Sequence, residues 1–260
     1  VTNHRHLLKS KLASFLGDPN FPKKITSKFT SRGERIIFYQ KLYMQYSRLA
    51  FTKWEDRPIA IAGLEKQLRH DLDSKGGFGV FDDGKSFLRR SLLWQRGEDE
   101  ATLRRISFPP ERKITVPSWS WMGYQGGIDF LSMELGGVEW QKGEIHSPWG
   151  PDVSEASHPE PQTANVELSA IAREFNPGLA KPEEVLIVYD IPETELQSVM
   201  CIVMGKEKRR GNAEDARHYV LLIGPKDVQA KVYERVGVGF MPGSCIQLDA
   251  TGVSGLVKVR

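Results

Sequence analysis

His4 and His6 flank Arg5 and could each lend a ring nitrogen to a metal, but no Cys, Asp or Glu stands at ligand spacing beside them. Gly76-Gly77-Phe78-Gly79 has the glycine density of a phosphate cradle. No strand pattern precedes it and no Gly-Lys-Ser/Thr follows, so it reads as a loop. The glycine pair Gly126-Gly127 suits a hairpin turn better than a nucleotide loop. Glu98-Asp99-Glu100 offers carboxylates, but adjacent acids after a helix form a solvated cluster rather than an opposed acid–base pair. No serine sits in a Gly-x-Ser-x-Gly elbow. The 2 cysteines, Cys201 and Cys245, have no Cys-x-x-Cys partner and read as reduced core thiols. The sequence therefore points to no catalytic residue, no cofactor-binding residue, no metal ligand and no cofactor.

Bulk properties narrow the remaining classes. The 260 residues are 40% hydrophobic and 27% charged, as in an ordinary globular protein. No apolar run approaches the roughly 18 residues that cross a bilayer, so no membrane partner is expected. The chain opens on Val1 without an apolar signal region, which reads as a piece of a longer polypeptide. A net charge of +3 conceals an asymmetry: residues 1–115 hold 23 Lys and Arg against 13 Asp and Glu, and residues 116–260 hold 13 against 20. Such halves attract each other or offer a basic face to a partner. The run Lys206-Glu207-Lys208-Arg209-Arg210 could touch phosphates, yet no recognition helix, RNA-binding strand or zinc knuckle accompanies it, which argues against a nucleic-acid partner.

The elements that must position these residues change texture along the chain. Leu8, Leu12 and Phe15 recur at helical spacing, and residues 25–35 read as a connection. Ile36, Tyr39, Tyr43, Tyr46 and Ala50 mark a core-facing helix over 34–50, widened by Phe38, Leu42 and Leu49. Ile61, Leu64, Leu68 and Leu72 predict a second helix begun at Pro58. Asp82 or Asp83 caps a third, running to Gln95. After Pro109-Pro110 the apolar runs are short and β-branched, predicting strands over 118–124, 138–145, 166–174, 185–191, 199–205, 218–223, 232–240, 245–248 and 255–259. Residues 148–162 read as an exposed, mobile loop, and 206–212 as a charged tip between strands. The expected fold is α+β: a helical region, 1–110, packed on a β-rich, mainly antiparallel region, 111–260, as one joint unit.

Several segments carry a resemblance. They are Tyr46-Ser47-Arg48-Leu49-Ala50-Phe51-Thr52, Glu55-Asp56-Arg57, Ala60-Ile61-Ala62-Gly63-Leu64, Leu92-Leu93-Trp94, Pro117-Ser118-Trp119-Ser120-Trp121 and Tyr233-Glu234-Arg235-Val236-Gly237. In this order they resemble the region downstream of the HET domain in fungal heterokaryon-incompatibility proteins. The match departs at Leu49, where the family has a second Arg, and at Pro58, where it has Leu. The resemblance implies a cytoplasmic protein of non-self recognition and programmed cell death, whose HET domain, related to TIR domains, would lie before Val1 as a partner in the same polypeptide. The present chain is then a non-catalytic accessory or regulatory region. An enzyme with a pocket between the two halves, or a basic module for a protein or nucleic-acid partner, remains the alternative.

The matched residues also have a physical reading. If 118–124 is a strand, Trp119 and Trp121 share one face and form a core brace or a ligand cage, and each buried indole N–H needs an acceptor. Arg48 and Asp56 could pair between two helices. Tyr46, Gly63, Trp94, Tyr233, Arg235 and Gly237 complete the motif set, in roles expected to be structural.

Overall fold

A computed structural model describes residues 31–149, 166–192, 196, 198–208, 216–248 and 255–260. The expected helix at positions 8–15, His4 and His6, most of the 148–162 loop and the end of the 206–212 tip lie outside these residues.

Helix α1, Arg32–Ser47, begins where Ser31 and Glu34 close a capping box: the Ser31 hydroxyl accepts from the Glu34 amide, and the Glu34 carboxylate accepts from the Ser31 amide. Its stripe of Ile36, Tyr39, Leu42, Tyr43 and Tyr46 is buried. Helix α2, Arg57–Asp71, starts with Pro58 in its first turn and buries Ile61, Leu64 and Leu68. Chain reversal follows at Asp73, which adopts a left-handed φ of 46°. Strands β1, Lys75–Gly77, and β2, Val80–Asp82, then form a hairpin. Its turn residues Phe78 and Gly79 both have positive φ, 56° and 77°, as a tight primed turn requires. What the glycine density at 76–79 marks is this turn. Gly79 is required twice over, because a side chain there would also run into the Trp121 indole. Glu65 of α2, fully buried, accepts the Gly79 amide at 2.6 Å and so holds the turn from below. Burial raises its carboxyl above the usual range, against the lowering effect of that hydrogen bond.

Helix α3, Phe87–Leu92, is shorter than the expected run to Gln95. Trp94–Arg96 instead form strand β3, paired with β6, Ile128–Phe130. Strand β4, Arg104–Arg105, likewise pairs with β5, Tyr124–Gln125. The remaining strands build an eight-stranded sheet. They are β7 (Val138–Trp140), β8 (Ile145–His146), β9 (Leu168–Ala172), β10 (Leu186–Tyr189), β11 (Met200–Glu207), β12 (Arg217–Asp227), β13 (Val232–Pro242) and β14 (Gly255–Val259). The order is β7-β11-β12-β13-β14-β9-β8, with β10 added to the far part of β13. All pairings are antiparallel except β13 with β14. Reciprocal hydrogen bonds between Arg173 and Cys201 join the end of β9 to β11, so the sheet curls back on itself.

This corrects the expected architecture. The fold is mostly β-sheet with three short helices among the described residues, not a helical half packed on a β half. Four strands precede position 110, and two of them find their partners beyond it. Short runs such as Trp94-Gln95-Arg96 have no period of their own, and tertiary pairing decides their state. Residues 138–145 split into two short strands, and Cys245 closes a 3₁₀ turn rather than opening a strand.

The tryptophan pair is corrected as well. Residues 117–120 form a turn and Trp121 opens a 3₁₀ helix, Trp121–Gly123, so no strand sets both rings on one face. Both are fully buried, but in different cores. Trp119 packs with Phe78, Leu88 and Leu92 against the inner residues of β9, β11, β12 and β14. Trp121 packs with Tyr43 and Tyr46 in the core built by α1 and α2. A third core, with Cys201, Val203, Val220 and Cys245, fills the other face of β11 and β12. Burial pushes the Cys201 thiol up to about 12, so it is protonated at neutral pH.

Two outcomes follow from this packing. Trp119→Ala and Trp121→Ala should each cost about 3–5 kcal/mol. Because β3–β6 and β4–β5 tie the cores, helix signal and indole fluorescence should be lost in one joint urea transition; separate midpoints for the two probes would refute the coupling. The second concerns Glu65. Its raised pKa means the folded state holds a proton that the unfolded chain releases, so stability falls as pH rises from about 4 into the raised range. Glu65→Gln keeps an acceptor for Gly79 and removes that loss. Its thermal midpoint should gain on the parent's as pH increases, and parallel midpoint-against-pH curves would show that Glu65 does not titrate in this way.

Candidate functional site

The matched segments, far apart in sequence, converge on Arg235 in β13. Its side chain and that of Asp190, just after β10, are both 0% exposed. The guanidinium donates to Asp190 through Nε at 2.9 Å and Nη2 at 3.2 Å. Nη1 donates to the Leu92 carbonyl at 2.6 Å, and Nη2 also reaches the Trp94 carbonyl. The guanidinium carbon lies 3.1 Å from the centre of the Trp94 ring. Trp94 in turn donates its indole N–H to the Trp119 carbonyl at 2.9 Å, and the Arg235 amide donates to the Ser118 hydroxyl at 3.0 Å. One buried cation thus gathers the Leu-Leu-Trp, Pro-Ser-Trp-Ser-Trp and Tyr-Glu-Arg-Val-Gly segments. Burial pulls its pKa down and Asp190 opposes the shift.

Gly237, two residues on, pairs with Tyr189 of β10, and a side chain there would strike the Val188 carbonyl. Glycine therefore lets β10 approach and bring Asp190 to Arg235. Tyr233, half-buried, packs at the edge of the Trp119 core.

A second buried cation organises the earlier motifs. Arg57, 0% exposed, donates to the carbonyls of Tyr124, Ser47 and Gly126. No carboxylate pairs with it among the described residues, while the rings of Trp121, Trp54 and Phe51 lie 5.1–6.0 Å from it. Burial lowers it to about 10, still protonated at neutral pH. Tyr46 donates to the Arg57 carbonyl at 2.7 Å, and Ser47 accepts the Ile128 amide at 2.9 Å.

Arg48 and Asp56 do not meet. Arg48 bonds Asp99, Asp129 and the Ile128 carbonyl, and Asp56 pairs with Arg112. The reason is geometric: Arg48 follows the end of α1 and faces the β3–β6 sheet, so carboxylates there reach it first. Gly63 is exposed with open space where a side chain would go, and nothing in the structure requires glycine there. The indole N–H groups of Trp119 and Trp121 find no acceptor among the described residues, contrary to the expectation that each would have one.

Asp190, Arg57 and Ser47 were not singled out by sequence reasoning. A signal was present for two of them. Asp190 ends the apolar run Val185-Leu186-Ile187-Val188-Tyr189, an unusual place for an acid unless it is paired. Arg57 stands in the first turn of a helix, where the macrodipole disfavours a cation and a tertiary role must compensate.

The hub offers no open coordination or reaction position, since its donors end on protein acceptors. Beside it lies a cleft of about 680 Å³, walled by Arg105, Val116, Ser118, Tyr124, Lys226 and Arg260 among others. Its one serine is committed: Ser118 accepts from the Arg235 amide and donates to the Arg260 carbonyl. Among the described residues no group of His, Cys, Asp and Glu could hold a metal ion, and no helix is long and apolar enough to cross a membrane.

Leaving either member of the Arg235–Asp190 pair buried and alone should cost about 3–5 kcal/mol. Arg235→Met should cost more than Asp190→Asn, because it also strands the Leu92 and Trp94 carbonyls. Urea titration of both variants tests this, and a loss below about 1 kcal/mol for Arg235→Met would remove the hub from its central place. No protein-family model, curated protein or solved structure matches the chain.

Proposed function

We propose that this chain is a non-catalytic accessory or regulatory region of a fungal heterokaryon-incompatibility protein, cytoplasmic, with effector chemistry residing in an upstream HET domain. The observation that carries the reading is where the resembling residues go. Tyr46, Trp94, Trp119, Trp121 and Arg235 are buried; the polar side-chain contacts of Tyr46, Trp94 and Arg235 join one chain segment to another, and Trp119 and Trp121 pack into separate cores. Residues that maintain a joint are what an accessory region must keep, whereas an enzyme keeps groups that face a substrate. In this reading the region supports, positions or regulates the effector domain.

The enzyme reading has one feature in its favour, the cleft beside the hub. Among the described residues no histidine lines it, and the Ser118 hydroxyl already serves two backbone groups. A nucleophile without a base in reach is not activated for attack.

Nicotinamide release from a dinucleotide cofactor separates the readings. The chain alone should give none above the buffer blank, and a longer polypeptide restoring the upstream domain should give turnover. Turnover by the chain alone, abolished by changing one cleft carboxylate such as Asp227→Asn, would overturn the accessory reading.

A further inference from the structure

We infer that the cleft beside the Arg235 hub binds a small organic anion with an apolar body, an aryl or alkyl phosphate being the class that fits. Four cations line it: Arg105 of β4, Lys226 of β12, Lys258 of β14, and Arg260 just after that strand. Among the described residues Asp227 is the one carboxylate of the lining, and it accepts the Ala230 amide at 2.9 Å.

Among the described residues Asp227, Glu167 and Glu234 stand against the four cations, which leaves one positive charge in excess. Arg105 is matched by Glu234 at 2.9 Å. Lys258 and Arg260 share the single carboxylate of Glu167. Burial would raise that carboxyl slightly, but the two cations hold it below its ordinary value, so Glu167 is ionised and neutralises only one of them. Lys226 has no carboxylate partner among the described residues. The walls between the cations are apolar, from Ile106, Phe108, Val116, Val166 and Val232. A cavity of about 680 Å³ lies within the range of small-ligand sites, which combine apolar lining with a few convergent polar groups. A bare inorganic ion would use the charges and waste the walls; a neutral compound would do the reverse. An organic phosphate uses both, and its exposed oxygens match separate ammonium and guanidinium donors.

This inference stands apart from the accessory role, because it concerns binding and no turnover. The test is calorimetric titration of the full chain at low ionic strength with phenyl phosphate, inorganic phosphate and benzyl alcohol. Phenyl phosphate should bind most tightly, and its affinity should fall as salt is added. Lys226→Ala and Lys258→Ala remove half-to-fully exposed lysines, so folding, checked by circular dichroism, should persist. Each should weaken phenyl phosphate by about fivefold, the effect of losing one rim charge, while Lys41→Ala, outside the cleft, should change nothing. The inference is overturned if phenyl phosphate fails to bind at about 10 mM, far weaker than a designed site would allow. It is equally overturned if benzyl alcohol or inorganic phosphate binds as tightly as phenyl phosphate, or if Lys41→Ala weakens binding as much as the cleft variants do.

Discussion

Burying a guanidinium away from water costs several kcal/mol unless its charge and its donors are answered inside the protein. Arg235 meets that demand with one carboxylate and two carbonyls, supplied by chain segments distant in sequence. Leu92 and Trp94 lie 143 and 141 residues from it in sequence, and Asp190 lies 45 away. The planar fork sets where each acceptor must stand, which a lysine ammonium on a flexible stem would not do. The end of α3, the start of β3 and the end of β10 are thereby fixed against β13. Arg57 meets the same demand less completely: its terminal nitrogens reach carbonyls and its face meets Phe51, Trp54 and Trp121, but its Nε has no partner among the described residues.

Arg235 sits where two cores meet, whereas Arg57 braces the helical core alone. Trp94 belongs to the helical core yet lies over Arg235 and bonds the backbone of Trp119, which belongs to the sheet core. The turn at 117–120 then sends one indole into each core. Contacts of such long sequence separation are slow to form, because loop closure precedes any reward from burial. Two ion pairs cross between the basic and acidic parts of the chain: Arg48 reaches Asp129 and Arg105 reaches Glu234. These exposed or half-exposed pairs add little stability singly, and the packing of apolar side chains contributes more.

How far the sequence disclosed this depends on which residues are asked. Helices α1 and α2 were legible because Ile36, Tyr39, Tyr43 and Ile61, Leu64, Leu68 keep a helical period over several turns. Strands β9 to β14 were legible from β-branched runs, with boundaries shifted by a few residues. The strands β3 to β6 were not, since two or three residues carry no period and their pairing is decided by partners elsewhere. The tryptophans misled for a related reason. Trp-Ser-Trp alternates as a strand would, but Ser120 caps the 3₁₀ turn by accepting the Met122 amide at 3.1 Å, and its own amide bonds Pro117. That Arg235 would matter was visible only through resemblance; that Asp190 is its partner required the fold.

The hub also conditions the cleft beside it. Ser118 stands between them, accepting the Arg235 amide on one side and donating to the Arg260 carbonyl on the other. Tyr124 does the same through its ring, packed on Trp94 at 5.7 Å between centroids and facing Arg105 at 5.8 Å. Arg105 and Arg260 are therefore backed by residues that contact the fully buried Arg235 hub. Charges held in place before a ligand arrives lose little entropy on binding, so even a modest excess of positive charge can be used efficiently. The lysines lack that anchor: the Lys258 side chain is more than half exposed and is held at its tip by Glu167. Such a cleft suits ligands that seat an apolar body against the anchored residues and present the anion to the exposed ammonium groups. Selectivity for the body would then reside in Val116 and Tyr124, and selectivity for charge in the lysines.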